Sequence, residues 1–133
     1  MASVTETAPY KGVIAYFPVA DARKAAAFYE KAFAGEVVDT RPVEDGRLMH
    51  CEMTINGGPV MFNDPFPEHG MGETGAGGCV MTLTVDDVQA WWNRAVDAGC
   101  TVVLDLHDAF WGDRYGQLAD PFGIRWALVG PKA

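Results

Sequence analysis

Apolar residues recur at helical spacing in the stretch that follows Asp21. Asp21 is a suitable N-cap for such a helix, and Gly35 is a suitable residue to end it. The residues that share one side of this helix are Ala22, Ala25, Tyr29, Ala32 and Phe33. The pattern therefore predicts an amphipathic helix that packs against a core through that side.

The same arrangement returns about 65 residues later. Asp86 or Asp87 caps a second predicted helix, and Gly99 ends it. Its apolar side comprises Val88, Trp91, Trp92 and Ala95. A second helix of the same design indicates an internal repeat.

Segments of strand-like composition surround both helices. Predicted strands cover residues 11–19, 36–43, 48–56 and 59–63 in the first half, and 79–85 and 101–106 in the second half. Two further strands flank the turn at Asp120-Pro121-Phe122-Gly123. One strand, one helix and three strands therefore occur twice. We predict an α+β fold of two tandem βαβββ modules, at about 10–66 and 79–130, joined by the glycine-rich connector 64–78. Each half is too small to bury a core alone, so both share one.

Composition limits the partners that the chain can have. Its 133 residues suit a single domain, and its formal net charge is −8 with a pI near 4.6. Nucleic acids and anionic membranes are bound by positive patches, so we expect neither as a partner. A negative protein favours cationic ligands over anionic ones. No signal peptide and no apolar run of about 20 residues is visible, and we expect a cytoplasmic protein.

Three cysteines stand far apart in the sequence. Cys51, Cys79 and Cys100 form no CxxC pair, so neither a zinc knuckle nor a redox dithiol is indicated. We expect all three to be free, buried thiols.

At this point the chain resembles a known family. The two βαβββ modules, the FYEKAF helix segment (28–33), the VDD-to-AGC segment (85–100) and the DPFG turn look like the vicinal oxygen chelate superfamily. That superfamily includes glyoxalase I, bleomycin-resistance proteins and extradiol dioxygenases. The FWGDRYGQLADPFGIRWAL ending (110–128) resembles its PhnB-like branch. The resemblance spans about residues 10–130. It implies a half-open sheet barrel around a cavity, and a homodimer, with the barrel closed either within one chain or across two.

The resemblance also implies a divalent metal held by the first and last strands of each module. Counting from the helix caps and the DPFG turn places those positions at Ile14, Phe62, Val80 and Ala127. None of these side chains has a lone pair for a metal. We therefore predict no metal at the family's site and no other cofactor, with a divalent metal at a shifted site as the alternative.

Strand alternation indicates which side chains line the cavity. His50 and Glu52 stand two apart on one strand, so both face the same way. They suit a general base with its orienting carboxylate, or a polar anchor, or simply a solvated sheet edge. The predicted ligand-binding wall comprises Tyr16, Phe62, Trp111, Tyr115 and Gln117.

Two functions remain open from the sequence. The first is a metal-free protein that binds a small aromatic or cationic molecule, since aromatic rings stack on planar and cationic groups. The alternative is a lyase, isomerase or dioxygenase-like enzyme. It would use a divalent metal at a shifted site, or His50 and Glu52 as acid and base.

Overall fold

The computed structural model describes residues 10–132, and this part of the chain contains two α-helices and eight strands. The elements of the first half are β1 (Tyr16–Pro18), α1 (Ala22–Phe33), β2 (Glu36–Pro42), β3 (Leu48–Ile55) and β4 (Gly58–Asn63). The connector contains one 3₁₀ turn (Pro67–His69). The elements of the second half are β5 (Val80–Thr84), α2 (Val88–Ala98), β6 (Thr101–Asp108), β7 (Asp113–Ala119) and β8 (Arg125–Pro131).

Each half builds its own four-stranded mixed sheet. The strand order is β1-β4-β3-β2 in the first sheet and β5-β8-β7-β6 in the second. In both sheets the strand before the helix pairs in parallel with the last strand of its half, and the other pairs are antiparallel. The predicted α+β class and the two tandem βαβββ modules are therefore confirmed.

The two helices begin where the sequence predicts. The carboxylate of Asp21 accepts a hydrogen bond from the amide of Lys24, and Asp87, not Asp86, does the same for Ala90 at the start of α2. All five predicted apolar residues of α1 are buried. In α2 the predicted residues Val88, Trp92 and Ala95 are buried, whereas Trp91 is half-buried beneath the guanidinium of Arg94.

The end of α1 differs from the prediction. Ala34, not Gly35, takes the left-handed conformation, with φ 54°. Gly35 is favoured for a different reason: a Cβ there would lie 2.8 Å from Cε of Met53 and 3.2 Å from the backbone carbonyl oxygen of Tyr29. Close packing of the helix end on β3 therefore explains this glycine better than helix termination does.

The first strand is shorter than predicted. We predicted residues 11–19, but only Tyr16–Pro18 pair with β4. Gly12 has a positive φ of 81°, which turns the backbone away from an extended course, and Val13 is fully exposed. Before β1, the carbonyl of Ala15 still accepts from the amide of Met61, and the predicted strand is lost only in the residues that precede Ala15.

The two helices lie between the two sheets. The ring of Tyr29 in α1 contacts Phe62 of β4, with centroids 5.5 Å apart, and Trp126 of β8, with centroids 5.4 Å apart. Buried residues of both sheets and both helices form one cluster. Each sheet thus turns one face to the helices, and we call its opposite, outward face the open face.

The cysteines divide by location. Cys51 and Cys100 are buried, and burial raises their pKa values to about 11 and about 12. Cys79 is exposed at the end of the connector, so the prediction that all three thiols are buried was wrong for Cys79. Its strand begins one residue later than predicted, which leaves Cys79 outside the sheet.

Neither of the two helices between residues 10 and 132 combines the length and the apolarity that crossing a membrane requires.

Candidate functional site

The hydrogen-bonded register shows which residues share the open face of the first sheet. One row crosses all four strands and comprises Tyr16 of β1, Met61 of β4, Glu52 of β3 and Asp39 of β2. The neighbouring row contains His50 opposite Arg41. Directly paired residues in a sheet point to the same side, so these side chains meet on one surface.

His50 and Glu52 each have a tyrosine hydroxyl as hydrogen-bond partner. Nδ1 of His50 lies 3.3 Å from the hydroxyl of Tyr16, and that hydroxyl donates its proton to the carbonyl of Met49. The hydroxyl of Tyr10 donates to Oε2 of Glu52 over 2.5 Å. The hydrogen bond to Glu52 raises the pKa of Tyr10, and burial raises the pKa of Tyr16. Both phenols therefore keep their protons and act as donors at neutral pH. The catalytic role of His50 and Glu52 stays a prediction.

Sequence reasoning missed two members of this cluster, Asp39 and Arg41. Asp39 is only 7% exposed, and its Oδ2 accepts from Nε of Arg41 over 3.0 Å. Its Oδ1 is buried without a hydrogen-bond partner. A bulge between Val37 and Asp39 breaks the alternation of β2, which concealed the side on which Asp39 lies. The available signal was the spacing of Asp39 and Arg41, because residues two apart in a strand point to the same side.

Aromatic rings gather on and beside the open face of the second sheet. Trp111 lies 5.4 Å from Tyr115 and 5.1 Å from Phe110, measured between ring centroids. Gln117 donates from Nε2 to the hydroxyl of Tyr115 over 2.8 Å, and His107 contacts the same ring edge-on. Trp111 is 51% exposed and Phe110 is 97% exposed. The structure thus brings together Trp111, Tyr115 and Gln117, while their role in binding stays a prediction.

Phe62 does not belong to this surface. Its side chain is fully buried on the helix side of the first sheet, where it stacks on Phe17 and meets the edge of Tyr29. The prediction that Phe62 lines the cavity was therefore wrong. Its neighbour Met61 occupies the open face, because adjacent residues of a strand point to opposite sides.

The open faces belong to two different sheets whose other faces share the helical core. His50 and Glu52 lie on the first sheet, whereas Trp111, Tyr115 and Gln117 lie on or beside the second. The prediction that both groups line the same cavity is therefore not met within a single chain.

A separate groove of about 380 Å³ lies beside the β2–β3 turn and the connector. Arg47 lines this groove. Its guanidinium group forms ion pairs with Glu68 and Asp45 and lies 4.2 Å from the ring centre of Phe66. Hydrogen bonds from Arg47 lower the pKa of Glu68 to about 2. Arg47 is thus occupied by carboxylates and is unsuited to an anionic ligand.

Comparison with known proteins identifies the family. The family model described as the Glyoxalase/Bleomycin resistance protein/Dioxygenase superfamily matches residues 12–128. The chain belongs to this superfamily. It is 47% identical over 119 residues to an uncharacterized protein of Mycobacterium tuberculosis, with 85% of this chain and 70% of that protein covered. An uncharacterized protein of Mycobacterium bovis is also 47% identical over 119 residues, with 85% of this chain and 78% of that protein covered.

Solved structures share the fold. Protein PA1353 from Pseudomonas aeruginosa superposes with a TM-score of 0.75 at 22% identity, covering 93% of this chain and all of that one. The PhnB protein from Bacillus cereus superposes with a TM-score of 0.70 at 19% identity, covering 89% of this chain and 98% of that one. The predicted resemblance to the superfamily, with a PhnB-like neighbour, is confirmed.

The superfamily's metal position can be tested against these residues. On the open faces, the central paired positions of the first and last strands include Tyr16 with Met61 and Thr82 with Ala127. Ile14 lies outside β1 and Phe62 faces the helices, so the predicted positions in the first module were wrong. A phenol, a thioether, a hydroxyl and a methyl group do not make a binding set for a divalent ion. Residues 10–132 also contain no group of three His, Cys, Asp or Glu side chains placed to hold one. The residues present do not fit the family's metal.

Proposed function

We propose that this chain binds a small aromatic or cationic molecule on the open faces of its sheets, without the metal site of its superfamily. The observation that carries the proposal is the ring cluster of Phe110, Trp111 and Tyr115, in which Phe110 and Trp111 are exposed and Tyr115 is half-buried. Large rings left in water forgo the free energy of burial, about 25 cal/mol for each Å² of apolar surface. A ligand that stacks on them recovers part of it.

The polar groups around the rings favour a ligand that accepts and donates hydrogen bonds or carries positive charge. Gln117 and Tyr115 form a hydrogen-bonded pair beside the rings. The net charge of −8 attracts cations to the whole molecule. Aromatic faces add cation–π attraction of about 0.5–2 kcal/mol for a cation above a ring. A planar aromatic cation satisfies all three features.

The pocket we propose is completed by a second copy of the chain. The open face of the second sheet exposes the apolar side chains of Val80 and Leu104, and Val38 and Val103 are exposed at the bulges of β2 and β6. Each open face on its own is a surface rather than a cavity, since the helices occupy the other side of both sheets. A homodimer in which the first sheet of one protomer meets the second sheet of its partner would bury this surface and enclose a ligand. Light scattering after gel filtration tests this, and a monomer at micromolar concentration would refute it.

The binding proposal is tested by titrating planar aromatic cations, including benzamidine and acridine orange, into the native protein and the Trp111→Ala variant. We expect micromolar binding to the native protein and about tenfold weaker binding to the variant, a loss of about 1.4 kcal/mol. Trp91→Ala is the matched control, because Trp91 is also partly exposed but lies on α2, away from both open faces. Equal affinity of the native and Trp111→Ala proteins, or no binding across the panel, would refute the proposal.

A further inference from the structure

Two carboxylates oppose each other on the open face of the first sheet. Asp39 of β2 and Glu52 of β3 are direct partners in the antiparallel register. Directly opposed residues have Cβ atoms about 4.5–5.5 Å apart, and like charges in such a pair repel. The sheet therefore holds these two acids together at a cost unless a positive group lies between them.

The burial of Asp39 raises the free-energy cost of holding the two carboxylates together. The residue is 7% exposed, and Oδ1 has no hydrogen-bond partner while Oδ2 is bound by Nε of Arg41. Buried carboxylate oxygens are almost always hydrogen-bonded, because an unpaired one loses its water without compensation. Oδ1 has almost no accessible surface, so a donor from outside the chain satisfies it only when neighbouring side chains move aside.

The charges of this cluster do not balance. Asp39 and Glu52 contribute two negative charges, and Arg41 contributes one positive charge. The partner of Glu52 is the hydroxyl of Tyr10, which is a neutral donor. The pKa of Tyr10 is raised by this hydrogen bond, so its hydroxyl stays protonated. One further positive charge would neutralise the pair.

We propose that Asp39 and Glu52 together bind the cationic nitrogen of the ligand, which is a protonated primary amine or an amidine. This inference rests on the proposed function and specifies the chemical class of its ligand. The cation donates to the carboxylate of Glu52, and to Oδ1 of Asp39 once the side chains that cover that oxygen move aside. The hydroxyl of Tyr10 then leaves Glu52, since it occupies the oxygen that the cation takes. Charge-assisted hydrogen bonds of this kind are about twice as strong as neutral ones.

The test compares benzylamine with benzyl alcohol, which has the same ring and nearly the same shape without the charge. Both are titrated into the full-length protein at constant ionic strength, with the side-chain carboxyl carbons of Asp39 and Glu52 and the indole of Trp111 followed by NMR. We expect benzylamine to shift both carboxyl resonances saturably and to bind at least about tenfold more tightly than the alcohol. A potassium chloride titration gives the response to an inorganic cation, and an equal response to potassium would overturn the assignment to an amine.

Three variants connect the effect to these side chains. Asp39→Asn and Glu52→Gln should each remove the preference for benzylamine, while their matched controls, Asp97→Asn and Glu30→Gln, should keep it. Both control residues are exposed on helices. Tyr10→Phe should bind benzylamine roughly fivefold more tightly, because no hydroxyl then competes for Glu52. Amide spectra establish that each variant is folded, and Glu52→Gln carries the test alone if Asp39→Asn is not.

The outcomes separate this inference from the proposed function. Equal affinities for benzylamine and benzyl alcohol, with the Trp111 indole shifting for both, would overturn the inference and leave the binding function standing. Tighter binding of benzylamine that persists in Asp39→Asn and Glu52→Gln would also overturn it. Carboxyl shifts without any response of Trp111 would support the inference and count against the aromatic cluster as the binding surface.

Discussion

The hydroxyl of Tyr29 on α1 donates a 2.6 Å hydrogen bond to Oδ2 of Asp120, which lies 91 residues further along the chain. The same oxygen accepts from Nε1 of Trp126, and Oδ1 accepts from the amides of Phe122 and Ile124. One buried carboxylate therefore shapes the turn before β8 and joins it to the helix of the other module. The Asp-Pro-Phe-Gly sequence thus holds the two halves together as well as turning the chain.

Removing this carboxylate's charge should destabilise the protein strongly. We expect Asp120→Asn to lower the free energy of unfolding by about 3 kcal/mol, because an amide offers one acceptor fewer to the four donors that the carboxylate now satisfies. Tyr29→Phe should lower it by about 2 kcal/mol, since it removes one hydrogen bond to a buried charge. Urea unfolding followed by circular dichroism measures both values.

The control for Tyr29 is Tyr115→Phe, which also removes a hydroxyl that takes part in a hydrogen bond, but in a partly exposed place. It should cost less than about 1 kcal/mol. Equal losses for the two tyrosine variants would show that the link between the modules contributes nothing specific to stability.

Gly116 should tolerate no side chain. A Cβ at this position of β7 would lie 2.5 Å from Cζ3 of Trp92 and 3.0 Å from Cα of Leu106. We expect Gly116→Ala to lower the melting temperature by several degrees, which corresponds to about 1–3 kcal/mol of overpacking. Gly77→Ala is the control, because a Cβ there meets nothing within 4 Å. A Gly116→Ala protein as stable as the control would mean that α2 can move away from the sheet at little cost.

Stability should fall in alkaline solution. The pKa values of Cys51 and Cys100 are raised in the folded protein, to about 11 and about 12. Their contribution to stability is complete below pH 9, where the unfolded thiols are also neutral, and is lost as the pH rises from 9 through 11 and 12. Each buried thiol then costs up to about 1.4 kcal/mol per pH unit. The raised pKa of Tyr29 acts in the same direction from about pH 10.

Urea unfolding at pH 8.5 and pH 10.5 under reducing conditions measures this loss. The Cys51→Ala/Cys100→Ala variant should lose roughly 3 kcal/mol less than the native protein between the two values. Cys79→Ala should lose as much as the native protein, because Cys79 is exposed. Identical pH dependence in all three proteins would contradict the burial effect.

Chelation should leave the protein unchanged if the family's metal position is unused. Tyr16, Met61, Thr82 and Ala127 supply no suitable set of ligands. We expect protein purified without chelator to contain far less than one divalent metal per chain, and EDTA to leave the melting temperature unaltered. A stoichiometric metal in elemental analysis would favour the alternative function, an enzyme that uses a shifted site.

The sequence determined the local elements of this protein. Asp21 caps α1 and one of the two predicted candidates, Asp87, caps α2. Tyr29 and Trp92 fall on the buried sides, because capping and helical spacing depend only on nearby residues. The repeated order of elements was enough to predict the two modules. The fold class followed from that order, since each half alone cannot bury a core.

The tertiary structure decided which surfaces these elements share. Phe62 turned out to be a core residue, because a shift of one residue in a strand exchanges its two faces and only pairing settles the register. The bulge in β2 placed Asp39 opposite Glu52, which spacing along a single strand does not reveal. Packing of both sheets on the helices set His50 and Glu52 apart from Trp111 and Tyr115, since contacts between distant segments depend on the whole core.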